Sequence, residues 1–391
     1  MTPLRKCTLV VLLFSLLVFH KQVQAENVDI STPPAPTIAA SAYILKDFNT
    51  GKVLAESNAD IKLAPASLTK IMTVYVIFNE LANGHLHLND NVTISEKAWK
   101  TAGSRMFVEL GNQVKIEDLL KGVIIQSGND ASVALAEHVG GNEETFAEMM
   151  NQHALRLGMI NTHFKNSDGL PGPDHYTTAR DLALLTSALI KEFPEYYRWF
   201  SQKEFTFNKI TQQNRNKLLS RDESVDGVKT GFTDDAGYCL VASALREDMR
   251  IISVVMGAKD ANARANENQT LINYGFRFFE SHQLYEAKKS LSEARVWKGA
   301  SKLVSLGLSE SMYVMVPRRL YKDLKAVITV DKKITAPVVE GSKLGSVKVT
   351  LNNEVLEEKD LVALQSVEQG NIFQRLSESA MMMLEKSEDG K

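Results

Sequence analysis

The sequence predicts an α+β fold: a five-stranded, mostly antiparallel sheet covered by helices, then a small all-β domain and a C-terminal amphipathic helix. Three observations carry this. Two short β-type runs precede a long helical stretch, three more follow it before a closing helix, and short strands punctuated by Gly, Asn and Lys come after. Strands grouped at the two ends of a helical block indicate segregated α and β elements, not alternating βαβ units.

Residues 1–25 read as a secretory signal peptide outside the fold. Arg5 and Lys6 precede a mostly apolar run from Cys7 to Phe19, too short to span a bilayer comfortably, and Val23-Gln24-Ala25 fits a small-x-small cleavage site. Its removal leaves Cys239 as the only cysteine, so the exported protein has no internal disulfide and relies on its core. Residues 26–39, with Pro33, Pro34 and Pro36, read as a linker.

Residues 40–288 read as the first domain. Ala42–Phe48 and Lys52–Glu56 form a hairpin across Asn49-Thr50-Gly51. From Ser67 the pattern is helical: Ile71, Val74, Ile77, Phe78 and Leu81 keep one face and Gly84 provides a stop. Met72 and Val76 lie off that stripe, so this helix is buried on most sides. Further helices are expected at 116–125, 131–139, 144–157 and 179–191, strands at 225–231, 238–245 and 251–256, and a closing helix at 262–279.

Residues 289–367 read as a β-rich second domain, with strands at 312–317, 326–330, 346–351 and 361–365. It holds no His or Cys and its acids are scattered, which favours a spacer or interaction role. In residues 368–391, Ile372, Phe373, Leu376, Ala380, Met383 and Leu384 share about a third of a helix circumference, as a helix lying in a membrane surface requires. Acids outnumber bases there, and a helix packed on its own domain or on a partner accounts for the same pattern.

Composition narrows the function classes. The 391 residues are 44% hydrophobic and 24% charged, which excludes a disordered, collagen-like or multi-span membrane protein. With three basic side chains in residues 1–25, the remainder carries 42 − 47 = −5 and lacks a basic stripe, so no nucleic-acid partner is expected. There is no HExxH, glycine-rich phosphate loop or G-x-S-x-G, and His85 and His87 fall in a loop after Gly84. Neither a metal nor a cofactor is expected.

Three short motifs carry the chemistry: Ser67-Leu68-Thr69-Lys70, Ser127-Gly128-Asn129 and Lys229-Thr230-Gly231. Each also has a plain structural account, as a helix cap, a turn between helices and a strand end with a glycine turn. Position favours a joint site. Ala64-Pro65-Ala66 leads into the buried helix, so Ser67 sits in its first turn with Lys70 one turn on, on the same face. A serine hydroxyl needs an adjacent base to become a nucleophile. A lysine serves only when its amine is neutral, through burial or a nearby cation such as Lys229. Ser127 is expected to relay a proton towards the leaving amine and Asn129 to donate to the substrate amide. Lys229 and Thr230 would hold an anionic carboxylate, Gly231 would leave room for a substrate backbone along the strand edge, and the N–H groups of Ser67 and Phe232 would form an oxyanion hole. This describes acyl transfer through a serine ester.

S-x-x-K with K-T-G is a signature of penicillin-binding proteins and class A β-lactamases. The surrounds Pro65-Ala66-Ser67-Leu68-Thr69-Lys70-Ile71-Met72-Thr73, Gln126-Ser127-Gly128-Asn129-Asp130-Ala131 and Asp226-Gly227-Val228-Lys229-Thr230-Gly231 go further. With them the chain resembles the low-molecular-mass penicillin-binding proteins, serine-type D-alanyl-D-alanine carboxypeptidases with a β-lactamase/transpeptidase-like domain. The resemblance implies a periplasmic enzyme held at the outer face of the inner membrane by its tail. Such an enzyme removes the terminal D-alanine of peptidoglycan pentapeptides through a Ser67 acyl-enzyme, with Lys70 as general base, and is acylated by β-lactams. It also implies that Ser104 lies near the active-site rim and that Arg215 helps hold the substrate carboxylate. Phe232 stands where the family often has His, which bears on substrate preference.

Three rivals remain on sequence. A class A β-lactamase needs a glutamate motif that Asn166-Ser167-Asp168-Gly169 does not offer. A non-catalytic wall-binding protein would have no need of three intact motifs. An endopeptidase for D-alanyl cross-links differs only in its leaving group.

Overall fold

The computed structural model describes residues 33–388; the expected signal peptide, residues 26–32 of the expected linker and residues 389–391 lie outside the described residues. Five strands, β1 (Ala42–Asp47), β2 (Val53–Ser57), β3 (Val225–Thr233), β4 (Gly237–Arg246) and β5 (Met249–Ala258), form one antiparallel sheet. Their order is β2-β1-β5-β4-β3, which leaves β3 and its Lys229-Thr230-Gly231 on a free edge.

Between β2 and β3 lies the helical block, whose longest members are α1 (Thr69–Ala82), α2 (Asn129–Gly140), α3 (Glu143–Arg156) and α4 (Ala179–Glu192). Helix α5 (Ala261–Phe278) covers the opposite face of the sheet. Two-residue alternation sorts the strand side chains between the layers. On β5, Ile252, Val254 and Met256 join the core beneath the helical block, whereas Ile251 and Val255 join Leu271 and Ile272 of α5. Helix α1 is the axis of the larger core: every residue from Thr69 to Phe78 is buried. A helix apolar on all sides belongs in such a place, and its position carries Lys70 into a medium of low polarity.

Two local departures from the expected elements matter. The helix foreseen over 116–125 is α-helical only over Ile116–Lys121; Gly122–Gln126 forms a π-turn that ends with Ser127 at a left-handed φ of 62°. Such turns recur at functional sites because they re-aim the residues that follow. A small hairpin of Glu204–Phe207 and Ile210–Gln213 was not marked by alternation long enough to read. Gln212 Nε2 of that hairpin donates to the Arg105 carbonyl beside the site at 3.0 Å.

The second unit is all-β, with β6 (Phe279–Tyr285), β7 (Ser292–Trp297), β8 (Leu303–Gly307), β9 (Met312–Pro317), β10 (Leu324–Val330), β11 (Ile334–Thr335), β12 (Lys343–Leu351) and β13 (Glu354–Ala363). Strand β6 pairs antiparallel with β9, and the others form one sheet in the order β10-β12-β13-β8-β7-β11 around Val296, Leu306, Val347 and Leu361. Residues 279–285 therefore pair with the β unit ahead of the start expected at 289. Their mixed run Phe279-Glu280-Ser281-His282 lacks clear alternation, so only pairing with β9 makes them a strand.

The tail forms α6 (Ile372–Glu388). Its polar side docks: Glu378 is buried and its carboxylate accepts the Lys298 N–H. Ile372, Phe373 and Leu376 face away from the domain, 65, 79 and 65% exposed. The alternative of an apolar stripe packed on its own domain does not hold for these residues. The side chains of Met383 and Leu384 lie outside the described residues.

Candidate active site

A 3₁₀ turn, Ala66–Leu68, precedes α1 and presents Ser67 half-buried at the helix mouth. Lys70 follows on the same face, only 1% exposed. An ammonium has three protons to place, and three acceptors surround this one. They are Ser67 Oγ at 3.2 Å, Asn129 Oδ1 at 2.7 Å and the carbonyl oxygen of Asp168. Burial lowers the Lys70 pKa from 10.5 to about 8, against the opposing pull of the Asp168 and Asp130 charges. Roughly a tenth of the amine is then neutral at pH 7, enough for a base that must take the Ser67 proton.

The π-turn and α2 bring the second motif to this pair. Asn129 opens α2, accepts from Lys70 through Oδ1 and donates through Nδ2 to the Ala102 carbonyl at 2.7 Å. It thus braces Lys70 against the Ala102 carbonyl of the rim. The Asn129 backbone N–H donates to the Ser104 carbonyl at 2.7 Å. The next residue, Asp130, is fully buried and accepts the N–H groups of Met106, Phe107 and Val108 at 2.8, 2.9 and 3.2 Å. These contacts pin the segment that carries Ser104.

From the strand edge, Lys229 Nζ donates to Ser127 Oγ at 2.9 Å and to the Thr230 carbonyl at 3.1 Å. Lys229 is 3% exposed. Burial holds its pKa well below 10.5, and Lys70, Arg215 and Arg264 add to the effect. A bound carboxylate would reverse that depression, because an opposite charge favours the ammonium.

Two glycines permit the assembly. A Cβ on Gly231 would stand 3.1 Å from the Pro65 carbonyl oxygen and 3.2 Å from Ala66 Cβ. The glycine therefore lets the nucleophile's turn lie against β3. Gly169, at a φ of +86°, brings the Asn166–Leu170 loop so close that a Cβ would meet the Ala66 carbonyl oxygen at 1.9 Å. This loop delivers the Asp168 carbonyl to Lys70.

The predicted residues Ser67, Ser104, Ser127, Arg215, Thr230, Gly231 and Phe232 line one cavity of about 350 Å³, with Lys70, Asn129 and Lys229 set in or behind its wall. Tyr238, Ala261 and Arg264 complete the lining. These three and Asp168 escaped sequence reasoning. Nothing in a lone arginine of a helix or in a loop carbonyl marks it beforehand, and only the packing of α5 and of the loop against β3 and α1 brings them in.

A segregated α+β fold with a buried lysine against a serine at the edge of its sheet defines a serine acyl-transfer enzyme of the peptidase type. Residues 29–260 match the family model described as D-alanyl-D-alanine carboxypeptidase, and residues 279–369 match that of the penicillin-binding protein 5 C-terminal domain. The chain is 47% identical over 359 residues to a D-alanyl-D-alanine carboxypeptidase, DacC, of Escherichia coli K12, covering 90% of each chain. It is similar to the crystal structure of penicillin binding protein 5 from Haemophilus influenzae, with 42% identity and a TM-score of 0.81 over 86% of this chain and all of that one. It also resembles penicillin-binding protein D2 of Listeria monocytogenes in its ampicillin-bound form, at 31% identity and a TM-score of 0.58 over 62% of this chain and all of that one. The chain belongs to the D-alanyl-D-alanine carboxypeptidase family of serine peptidases.

Proposed function

We propose that the protein removes the terminal D-alanine of peptidoglycan pentapeptides through an ester on Ser67. The observation that carries this is the contact of the buried Lys70 Nζ, 3.2 Å from Ser67 Oγ, beside Lys229 on Ser127. Neutral Lys70 takes the Ser67 proton as Oγ attacks the penultimate D-alanyl carbonyl. The N–H groups of Ser67 and Phe232 receive the developing oxyanion. Ser127, held by Lys229, passes a proton to the leaving amine, while Lys229, Thr230 and Arg215 bind the terminal carboxylate. Water then hydrolyses the ester, with Lys70 as base again. β-Lactams enter the same cleft, and ring opening by Ser67 leaves a stable ester; the ampicillin-bound relative supports this reading.

The two termini support a reading of the cell compartment. The expected signal peptide directs export to the periplasm, and the outward stripe of Ile372, Phe373 and Leu376 supports peripheral attachment at the outer face of the inner membrane. Among the described residues no helix is long and apolar enough to cross a membrane.

The deciding assay is D-alanine release from diacetyl-Lys-D-Ala-D-Ala, with Ser67→Ala and Lys70→Ala alongside. Both variants should be folded and inactive; normal turnover by either would remove that residue from the mechanism. A chain ending at Gly370 should no longer sediment with phospholipid membranes, and sedimentation equal to the full chain would refute the anchor.

A further inference from the structure

We propose that the cleft accepts leaving groups larger than alanine. The lobe between Phe232, Tyr238, Ala261 and Arg264 is a subsite for the side chain of the released D-amino acid, suited to an apolar stem with an anionic end. The inference rests on the carboxypeptidase reading and extends its substrate class.

The lobe is continuous with the catalytic cleft, whose volume of about 350 Å³ lies in the range of roughly 300–1,000 Å³ that holds drug-sized ligands. A terminal alanine held by Lys229, Thr230 and Arg215 fills only the part nearest Ser67. The lobe also lies on the correct side. A leaving residue carries the terminal carboxylate, so it must sit towards Lys229 and Thr230. Arg264 Nη1 donates to the Gly231 carbonyl at 2.9 Å, which places the lobe's charged end next to that motif.

Its walls have a definite chemistry. Phe232 is 48% exposed although it lines the cleft, and its ring packs on Tyr238 with centroids 4.3 Å apart. Arg264 is 8% exposed, lies 5.5 Å from the Tyr238 ring centroid, and has no carboxylate partner among the described residues. A buried charge is ordinarily paired. An aromatic plane that ends at a guanidinium with a carbonyl but no carboxylate partner among the described residues fits an aliphatic stem with a terminal carboxylate. The chemistry itself is unchanged. The D-alanyl C–N bond breaks, the amine takes the proton that left Ser67 Oγ, and water hydrolyses the ester.

The test uses the purified full chain with diacetyl-Lys-D-Ala-D-Xaa, where Xaa is alanine, 2-aminoadipate or lysine, and measures the released amino acid. Aminoadipate should be released with a kcat/KM at least about a third of that for alanine, and lysine at least about tenfold more slowly than aminoadipate. Ala261→Trp, which adds bulk to the lobe from a position outside the three motifs, should lower the aminoadipate-to-alanine ratio about tenfold. An aminoadipate value below that third, lysine equal to aminoadipate, or an unchanged ratio in Ala261→Trp would overturn the proposal. Absence of alanine release would overturn the parent reading together with this one, whereas alanine release with poor aminoadipate release overturns this one alone.

Discussion

Gly169→Ala tests whether the loop beside the nucleophile sets the geometry of catalysis. Gly169 lies at φ +86°, and an added Cβ would stand 1.9 Å from the Ala66 carbonyl oxygen and 3.0 Å from the Ser67 nitrogen. Real Cβ contacts essentially never fall under 3.0 Å, so 3.0 − 1.9 = 1.1 Å of movement is required. The two partners that can move are the Ser67 turn and the loop that presents the Asp168 carbonyl to Lys70. Either movement separates the nucleophile from its base. A misplacement of about 1 Å costs on the order of a hundredfold in rate, or about 2.7 kcal/mol of transition-state stabilisation. The left-handed backbone adds about 1–2 kcal/mol of lost stability. D-alanine release and labelling by a fluorescent penicillin report the first effect, and thermal melting the second. Gly84→Ala is the control, since its φ of +74° is equally left-handed but nothing lies within 4 Å of its Cβ. It should lose stability and keep activity. Wild-type acylation by Gly169→Ala would refute the claim that this close approach positions the site.

Other expectations follow from the charges. With the Lys70 pKa at about 8, the neutral base is lost as pH falls. The second-order acylation rate should therefore drop about tenfold per unit below a midpoint near 8; a flat profile between about pH 6 and 9 would remove Lys70 as base. His175 lies 2.9 Å from Thr69 Oγ1 through Nε2 and accepts the Lys165 N–H at Nδ1, and burial lowers its pKa from 6.5 to about 4. Between those values the unfolded chain binds the proton and the folded one does not. Stability is full above about pH 6.5 and falls as pH drops towards 4, by about 3 kcal/mol from this group. Urea melts of wild type against His175→Gln should show the smaller acid loss in the variant, and equal losses would contradict the assignment. Lys229→Ala removes the donor to Ser127 and the cation that forms against the bound substrate carboxylate, a loss of about 1.5–3 kcal/mol. KM should rise and β-lactam acylation slow by about ten- to a hundredfold, and kinetics matching wild type would refute that role.

The residue types needed for acyl transfer, the all-round apolar pattern of α1 and the apolar run of β5 were legible without coordinates, because each is a local pattern or a chemical identity. The second unit's strands before Met312 were not: Leu303–Gly307 is short, and Phe279–Tyr285 and Ser292–Trp297 are mixed, so their state depends on pairing partners elsewhere in the chain. The direction of the tail's apolar stripe was likewise undecided until Glu378 was seen to dock against Lys298.

By itself, the sequence supplied the residue types that acyl transfer needs and placed Lys70 in a buried helix. Tertiary structure alone decided how they meet. Ser67, Ser127 and Lys229 come from distant parts of the chain, and the Asp168 carbonyl reaches Lys70 only because Gly169 lets its loop touch the Ala66 turn. The physical reason is that a pKa near 8 and a 3.2 Å contact belong to an environment of low polarity and fixed acceptors. That environment exists only when the helical block closes over the edge of the sheet.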